Sequence, residues 1–545
     1  MINQGLAFQK ILIRNYNSFP GLWRIAMCGL VLLIFNMTAW PYMKFGLESA
    51  LDASFFWVDE GRHMDTLETM QATRSLKLIH PAYTAFYPNL SFLFAWAIEL
   101  GRMPISPQAF AWGSKWVSLI SINLHLLVGF ALCYRILASF KWAFLGLILL
   151  AGQRFYLSYG TLMHPEALML LFTTSALYAG TLLLVEGKTK HLWGMAAATG
   201  LALGAKLQVI FLIPWGGLMF LFMIWKFRKF SVLPFLLQVV ISSVILVTAL
   251  FAVSPYQLIH FSDLIQGIRG ESLNITDYWQ GRYSAWHWLS QVTSELHFGP
   301  FFSFLFLLAM LLGSMHIIAK WKLLGRELLD QPAEVFFIAN LLWIGIGAGY
   351  IVSTYRVFTD RYLIHIHISL VLVIVSGLYW WVQEKRPFYN LAVKSVIILL
   401  LYGGVQGQWR HTRRDIERRE TINDLLEPHR RFGRELPQHV PYDANILHTI
   451  RVYISAKNYP YSRPLFSDVP ATILGQKDLD YLIINNNYRP AMRSSVLMRG
   501  SQQDTDDTIE FWKKLEKDGI NGMFSVVAHF PQINVTIYRK VKAPQ

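Results

Sequence analysis

Apolar residues gather in long unbroken runs along this chain, and the runs do not alternate with polar residues. Val232–Val253 carries no charge at all, and comparable stretches recur from Leu22 to Gln408. About 20 consecutive apolar residues match the thickness of a bilayer's hydrocarbon core. Runs without a two-residue alternation exclude a membrane β-barrel. The pattern predicts about 11 transmembrane helices, at 23–43, 109–137, 142–160, 161–185, 192–208, 209–225, 231–253, 298–319, 333–355, 361–382 and 388–408.

The polar connections set the orientation. Arg135/Lys141, Lys188/Lys190, Lys226/Arg228/Lys229, Lys320/Lys322/Arg326 and Lys385/Arg386 fall on every second turn, on the side of Lys10, Arg14 and Arg24. The positive-inside bias makes that side cytoplasmic, so an odd number of spans leaves the C-terminus outside. Three external segments are long: Lys44–Gln108, Ser254–His297 and the tail after Trp409. In the first, Gly61–Leu78 reads as a surface helix. Phe86–Leu100 reads as interfacial, since counting it as a span would break the charge alternation. The second, rich in Trp, Tyr and Gly, suits a closing lid. In the tail a charged helical stretch, Arg410–Arg434, is expected to break at Pro428. Strands are expected at Asn445–Ile450, Tyr481–Asn485, Phe524–Phe530 and Val535–Tyr538. A helix is expected over Asp506–Lys517, capped by Asp504 or Thr505 and ended by Gly519. The expected organisation is a polytopic α-helical membrane module over residues 1–408 and an extracytoplasmic α/β domain over 409–545.

Composition agrees. Of 545 residues 54% are hydrophobic and 15% charged, with a mean hydropathy of +0.35, against about 25% charged in soluble domains. The net charge of +15 is then a topology signal and implies no nucleic-acid partner. Cys28 and Cys133 both fall in apolar runs and read as inert core thiols. The basic N-terminus ahead of a long apolar run, with no small-residue cleavage site, reads as an uncleaved anchor. No phosphate-binding loop, dinucleotide fingerprint or nucleophile elbow stands where it would be expected. An enzyme of this kind would draw its activated group from the bilayer.

Charged groups at the external ends of spans need a reason to be there. Asp59 and Glu60, behind Phe56 and Trp57, read either as a general base with a neighbour or as two solvated loop acids. His164-Pro165-Glu166 opens a span. It reads as an acceptor or metal ligand, or as a proline first turn with an acid favoured by the helix dipole. Lys206, closing Gly200–Lys206 between two spans with almost no loop, is a phosphate ligand or a snorkelling cation. Arg356 and Asp360-Arg361-Tyr362 place arginine against the positive-inside bias; phosphate binding competes there with an Asp360–Arg361 ion pair. His365 and His367, two apart, face different ways on a helix, against a shared metal site.

Taken in order, Phe56–Glu60, His80-Pro81, Tyr87–Leu90, His164–Leu168, Gly200–Lys206, Ser254-Pro255-Tyr256, Asp360–Leu363, Leu436-Pro437 and Ala444–Leu447 resemble the motifs of the GT-C superfamily of membrane glycosyltransferases. Bacterial protein O-mannosyltransferases and the aminoarabinose transferases of lipid A are the nearest in appearance. Relatives often carry Pro after Arg-Tyr-Leu, where Ile364-His365 stands here, and Asp in place of Glu166. The resemblance implies inverting transfer of a sugar from a polyprenyl-phosphate-linked donor to a hydroxyl of a lipid, glycan or protein acceptor. Asp59 would be the general base beside Glu60. Lys206, Arg361 and Arg356 would hold the donor phosphate, and His80, Tyr87, His164, Glu166, Tyr256 and His260 would line the substrate site. No cofactor is implied beyond a divalent cation, which stays open. A bacterial inner membrane with a periplasmic C-terminus is the expected location. An O-antigen-type polymerase or ligase would want an Arg-rich long loop, and only Arg269 and Arg282 stand in it. A transporter would call for inverted repeats, and none is evident.

The alternating cations yield a direct test. A topology reporter fused after Trp409 is expected to read external and one within Lys226–Lys229 cytoplasmic. The reverse pair would invert the arrangement.

Overall fold

Backbone amides find no water in hydrocarbon, so apolar runs close their hydrogen bonds internally as helices. The computed structural model describes residues 21–47, 58–74, 84–227, 232–262, 264–266, 299–354, 364–383, 387–449, 462–465, 478–486, 502–520 and 522–541. His80, Arg356, Asp360 and Arg361 lie outside the described residues, as does most of the expected lid; of Asp59 only the backbone is described.

The helices are α1 (Gly21–Met43), α2 (Val58–Thr73), α3 (Phe86–Ile98), α4 (Pro107–Leu137), α5 (Phe140–Ala151), α6 (Arg154–Tyr159), α7 (Glu166–Glu186) and α8 (Thr189–Ala205). Then follow α9 (Leu212–Phe227), α10 (Val232–Val253), α11 (Pro255–Ile259), α12 (Pro300–Leu324), α13 (Pro332–Thr354), α14 (His367–Gln383), α15 (Pro387–Glu435) and, in the tail, α16 (Gln502–Asp518). Among the described residues, eight helical stretches are long and apolar enough to cross a bilayer: α1, α4, α7, Leu207–Phe227, most of α10, α12, most of α13, and Ile364–Val382. The chain is a polytopic integral membrane protein. The remaining three expected spans are also helical, with differences. The 142–160 stretch is split into α5 and α6 at Gly152-Gln153, and α8 is 17 residues long. The last expected span, 388–408, lies within the 49-residue α15. The span expected from residue 161 begins at Glu166, because Pro165 has no N–H to donate and takes the position before the first helical residue. Helix α3, with 13 residues, is too short to cross.

Two compact units are distinguished. The first holds α1, α2 from His63 onward, α3 to α14, and α15 as far as Ile416. The second holds the start of α2 up to Arg62, α15 from Glu417, and the rest of the tail.

Close helix packing in the first unit rests on small residues. A Cβ on Gly113 of α4 would lie 2.6 Å from the Ala95 nitrogen of α3, and one on Gly200 of α8 would lie 2.3 Å from the Leu246 carbonyl of α10. Gly204 repeats the device one turn on, 2.6 Å from Val253 Cγ2. This is the small-xxx-small contact through which membrane helices approach backbone to backbone. Polar pairs add to it: the Asn36 and Asn123 amides exchange hydrogen bonds of 2.9 and 3.0 Å between α1 and α4. The cationic turns meet at one end of the bundle. Glu186 binds Arg135 at 2.9 Å, Lys188 at 2.9 Å and His191 at 3.0 Å, and Lys226 donates to the Leu184 carbonyl at 3.1 Å.

The second unit is an α/β domain around a five-stranded sheet: β1 (Ile446–Thr449), β2 (Ser462–Leu465), β3 (Tyr481–Asn485), β4 (Phe524–Phe530) and β5 (Val535–Lys540), in the order β2-β1-β3-β5-β4. β2, β1 and β3 run parallel; β5 is antiparallel to both β3 and β4. Successive side chains alternate between faces. Ile446, Ile483, Val535 and Ile537 pack with Phe432 and Leu436, and Leu447, Leu482, Ile484 and Tyr538 pack with Phe511, Trp512 and Leu515 of α16. Three expectations are corrected. β2 is an extra strand, hidden by Pro464, which a sheet tolerates at the edge that β2 occupies. Helix α16 starts at Gln502, ahead of the expected cap. Helix α15 does not break at Pro428. The proline removes one backbone donor, while the Glu427–Arg434 pair (2.5 Å) spans it, Arg431–Glu435 (2.7 Å) holds the turns after it, and Leu426 and Phe432 are buried on either side. The Arg434 guanidinium holds the Glu427 carboxyl below its ordinary value. Gly519 ends α16 with φ +62, as expected of a glycine at that position.

Gly200→Val should wedge α8 from α10, at a cost of about 1 to 3 kcal/mol. The lowered melting temperature in detergent would show it. Gly217→Ala, where a Cβ meets nothing within 4 Å, should leave melting unchanged. Equal melting of both variants would refute the close-approach account.

Candidate functional site

The site is built where two helix ends with opposite dipoles meet. Glu166 is the first residue of α7, and Lys206 follows the last residue of α8 in an extended conformation that breaks the run into α9. A carboxylate is favoured at a helix N-terminus and a cation at a C-terminus. The Lys206 Nζ is paired with Glu166 Oε1, and His164 Nδ1 lies against Glu166 Oε2. Glu166 and His164 are fully buried, and the Lys206 side chain is 14% exposed. An ionised carboxylate in such a place needs a partner, and Lys206 supplies it. Lys206 therefore does not snorkel away from the bundle. His164-Pro165-Glu166 combines both readings: a proline-led helix start whose acid and histidine form part of a charged cluster.

Aromatic and hydroxyl groups surround the cluster. The His63 ring, on α2, is 5.3 Å from the His164 ring and 5.5 Å from that of Tyr87. Tyr159 lies 6.4 Å from His164 on another side. Ser118 Oγ donates to the Leu162 carbonyl at 2.7 Å, and the Tyr87 hydroxyl lies 3.0 Å from Ser118 Oγ and 2.9 Å from the Ser114 carbonyl. Ser118 Oγ also lies 3.4 Å from the His164 carbonyl, so these hydroxyls fix the turn that carries His164. Asn89 donates to the Val253 carbonyl at 3.3 Å, which ties the start of α3 to the point where α10 gives way to Ser254-Pro255-Tyr256. The Tyr256 and His260 rings, on and just after α11, meet at 4.4 Å in a tilted pair.

The structure thus gathers Tyr87, His164, Glu166 and Lys206, and brings Tyr256 and His260 together as a pair. Asp59 and Glu60 stand in the first turn of α2 and not in a loop, a position a helix N-terminus favours for acids. Glu60 is fully buried, which overturns the solvated reading for that residue. His365 packs against Phe211 at 4.5 Å and lies within electrostatic reach of Lys206, whereas His367 packs against Phe155 at 4.9 Å. Among the described residues, no group of three or more His, Cys, Asp or Glu could hold a metal ion.

Two polar residues escaped the sequence reading. His63 sits with Met64, Leu67 and Met70 on the buried side of α2; the i, i+1, i+4, i+7 spacing marks that face. Lys115, a cation in an apolar helix, is completely buried and donates to the Tyr42 carbonyl at 3.3 Å; its presence in a span was the signal.

The chain is similar to ArnT from Cupriavidus metallidurans over 96% of its length and 99% of that protein's, with a TM-score of 0.53 for the apo state and 0.55 for the state bound to undecaprenyl phosphate. The fold is that of ArnT. Identity to the two ArnT structures is 12% and 11%, so the likeness is one of backbone. An oligosaccharyltransferase from Archaeoglobus fulgidus, in complex with Zn and sulfate, is similar over 84% of this chain and 68% of its own, at 11% identity and a TM-score of 0.48. No family model matches the sequence, and no curated protein does.

Removing one partner of a buried ion pair costs about 3 to 5 kcal/mol, and replacing both costs far less. Lys206→Met should therefore destabilise strongly, Glu166→Gln less, and Lys206→Met/Glu166→Gln should recover most of the loss in thermal melting. Additive effects would mean that the two side chains do not depend on each other.

Proposed function

We propose that this chain is an inverting glycosyltransferase that moves a sugar from a polyprenyl-phosphate-linked donor to a hydroxyl acceptor at the external membrane face, in a bacterial inner membrane. One observation carries the reading: a buried His164–Glu166–Lys206 cluster at the junction of spans, in the fold of a protein solved with undecaprenyl phosphate. A site that holds a lipid phosphate needs a cation at the end of a span, and Lys206 is such a cation.

In the proposed reaction Asp59 takes the proton of the acceptor hydroxyl as its oxygen attacks the anomeric carbon. The carbon–oxygen bond to phosphate breaks, and the electron pair leaves with the phosphate. Lys206 and Arg361, and next Arg356, answer the charge that grows on the leaving oxygen. Lys206 comes to this role already paired. The arriving phosphate competes with Glu166 for its ammonium, and His164, on the other carboxylate oxygen, keeps Glu166 partnered when Lys206 turns. Tyr87 and His63 hold His164 in place. The 254–297 segment closes over the reactants and keeps water from the donor, with Tyr256 and His260 at its start. Residues 1–408 act as the catalytic module and 409–545 as a periplasmic domain.

Membranes containing the chain, offered a panel of polyprenyl-phosphate sugars, should consume one of them; a panel left intact would refute the proposal. Asp59→Asn should lower turnover about 10²- to 10⁴-fold and keep donor affinity, since it removes a negative charge. Glu60→Gln, at a buried carboxylate, should show reduced stability with a milder effect on turnover. Arg361→Ala should weaken donor binding, and Arg361→Lys should restore part of it because a two-pronged contact is lost. Full activity of both Asp59→Asn and Glu60→Gln would remove the first external loop from the chemistry.

A further inference from the structure

His365 lies in the short helical turn Ile364–Ile366, which packs against α7, α13 and α14. It is completely buried, and neither ring nitrogen has a hydrogen-bond partner among the described residues. In its neutral form an imidazole carries one donor and one acceptor, and a buried polar group without a partner costs stability. The ring is nonetheless held in place. Trp343 Nε1 donates to the His365 carbonyl at 3.4 Å, and the ring meets Phe211 edge to face at 4.5 Å. On α13, Gly347 leaves room for it, since a Cβ there would lie 3.2 Å from His365 Nε2. An imidazole fixed so closely, with both nitrogens unused, fits a role that begins when a ligand arrives.

Both members of the Glu166–Lys206 pair are near. Glu166 begins α7, which the turn touches. Phe211 follows Lys206 by five residues in the chain, and the His365 ring lies within electrostatic reach of the ammonium. A lysine ammonium has three donors and no acceptor. When it turns from a buried carboxylate toward a phosphate, each of those donors needs an acceptor in surroundings that offer little water. A ring nitrogen of His365 can be one of them. We propose that His365 is a positioning residue for phosphate binding: its imidazole accepts a hydrogen bond from the Lys206 ammonium as that ammonium leaves Glu166 for the lipid-linked phosphate. The inference rests on the lipid-phosphate reading given above and adds a residue to it.

The test measures the affinity of the purified full chain for undecaprenyl phosphate in one detergent. His365→Phe keeps the ring packing and removes both nitrogens. It should weaken binding by about 10- to 100-fold, the worth of one hydrogen bond to a charged group. His365→Gln keeps an acceptor and should restore most of the affinity. In the Lys206→Met/Glu166→Gln background, His365→Phe should have no further effect, because the two residues act through one contact. In a nitrogen NMR spectrum of histidine-labelled wild type, assigned with His365→Gln, the His365 resonance should move when undecaprenyl phosphate is added. A wild type that does not bind the lipid would refute the lipid-phosphate reading itself. Binding by the wild type and equal binding by His365→Phe would overturn the role of His365 alone. So would a glutamine variant as weak as the phenylalanine one, or the same loss with and without Lys206. If His365→Phe fails to fold, the wild type decides: a His365 resonance unmoved by the lipid overturns the proposal as surely.

Discussion

A carboxylate sealed inside a helix bundle must find a positive partner, and Glu166 imposes that demand on this chain. Its charge is met by two converging sources, the α7 dipole and the Lys206 ammonium, with His164 beside the other carboxylate oxygen. Each source requires something of the backbone. Pro165 starts α7 where the acid is wanted. The break after Ala205 turns Lys206 back toward it. Gly200 and Gly204 let α8 lie close enough on α10 for that break to fall in the right place. The Gly-rich stretch and the acidic helix start are separate signals in the sequence and one device in the molecule.

The same cluster joins the fold to the proposed chemistry. The length of α7, about 31 Å for 21 residues, puts Glu166 and Glu186 at opposite ends of the bundle. Glu186 is held by surface cations that resemble a structural latch. Glu166 is held by a lysine that, in the proposed reaction, has a second partner to choose. The ion pair gives Lys206 a resting position, so the site need not keep an unneutralised cation buried before donor binds.

Much of the architecture was legible in the sequence because uninterrupted apolar length is a strong, local signal: each expected span coincides with helix, from α1 to the start of α15. The strands β1, β3, β4 and β5 and the glycine that ends α16 were legible for the same reason. What was hidden depends on long-range partners. Pro464 disguised β2, whose edge position is decided by its neighbours in the sheet. Pro428 looked like a break, yet flanking ion pairs and buried Leu426 and Phe432 carry α15 through it. At the site, Tyr87, His164, Glu166 and Lys206 were singled out individually, but their meeting was not visible, since they are contributed by α3, α7 and the α8–α9 junction. The burial of Glu60 and the approach of His63 to His164 follow from how α2 packs, which its modest amphipathic pattern only partly encodes.

The central claim is that Glu166 and a lipid phosphate compete for the same ammonium. The affinity of the purified chain for undecaprenyl phosphate, measured for wild type and for Glu166→Gln in one detergent, tests it most directly. Competition predicts that the variant binds more tightly, by about tenfold, because a rival charge is gone and Lys206 is released. Unchanged or weaker binding would show that the Glu166–Lys206 pair is purely structural.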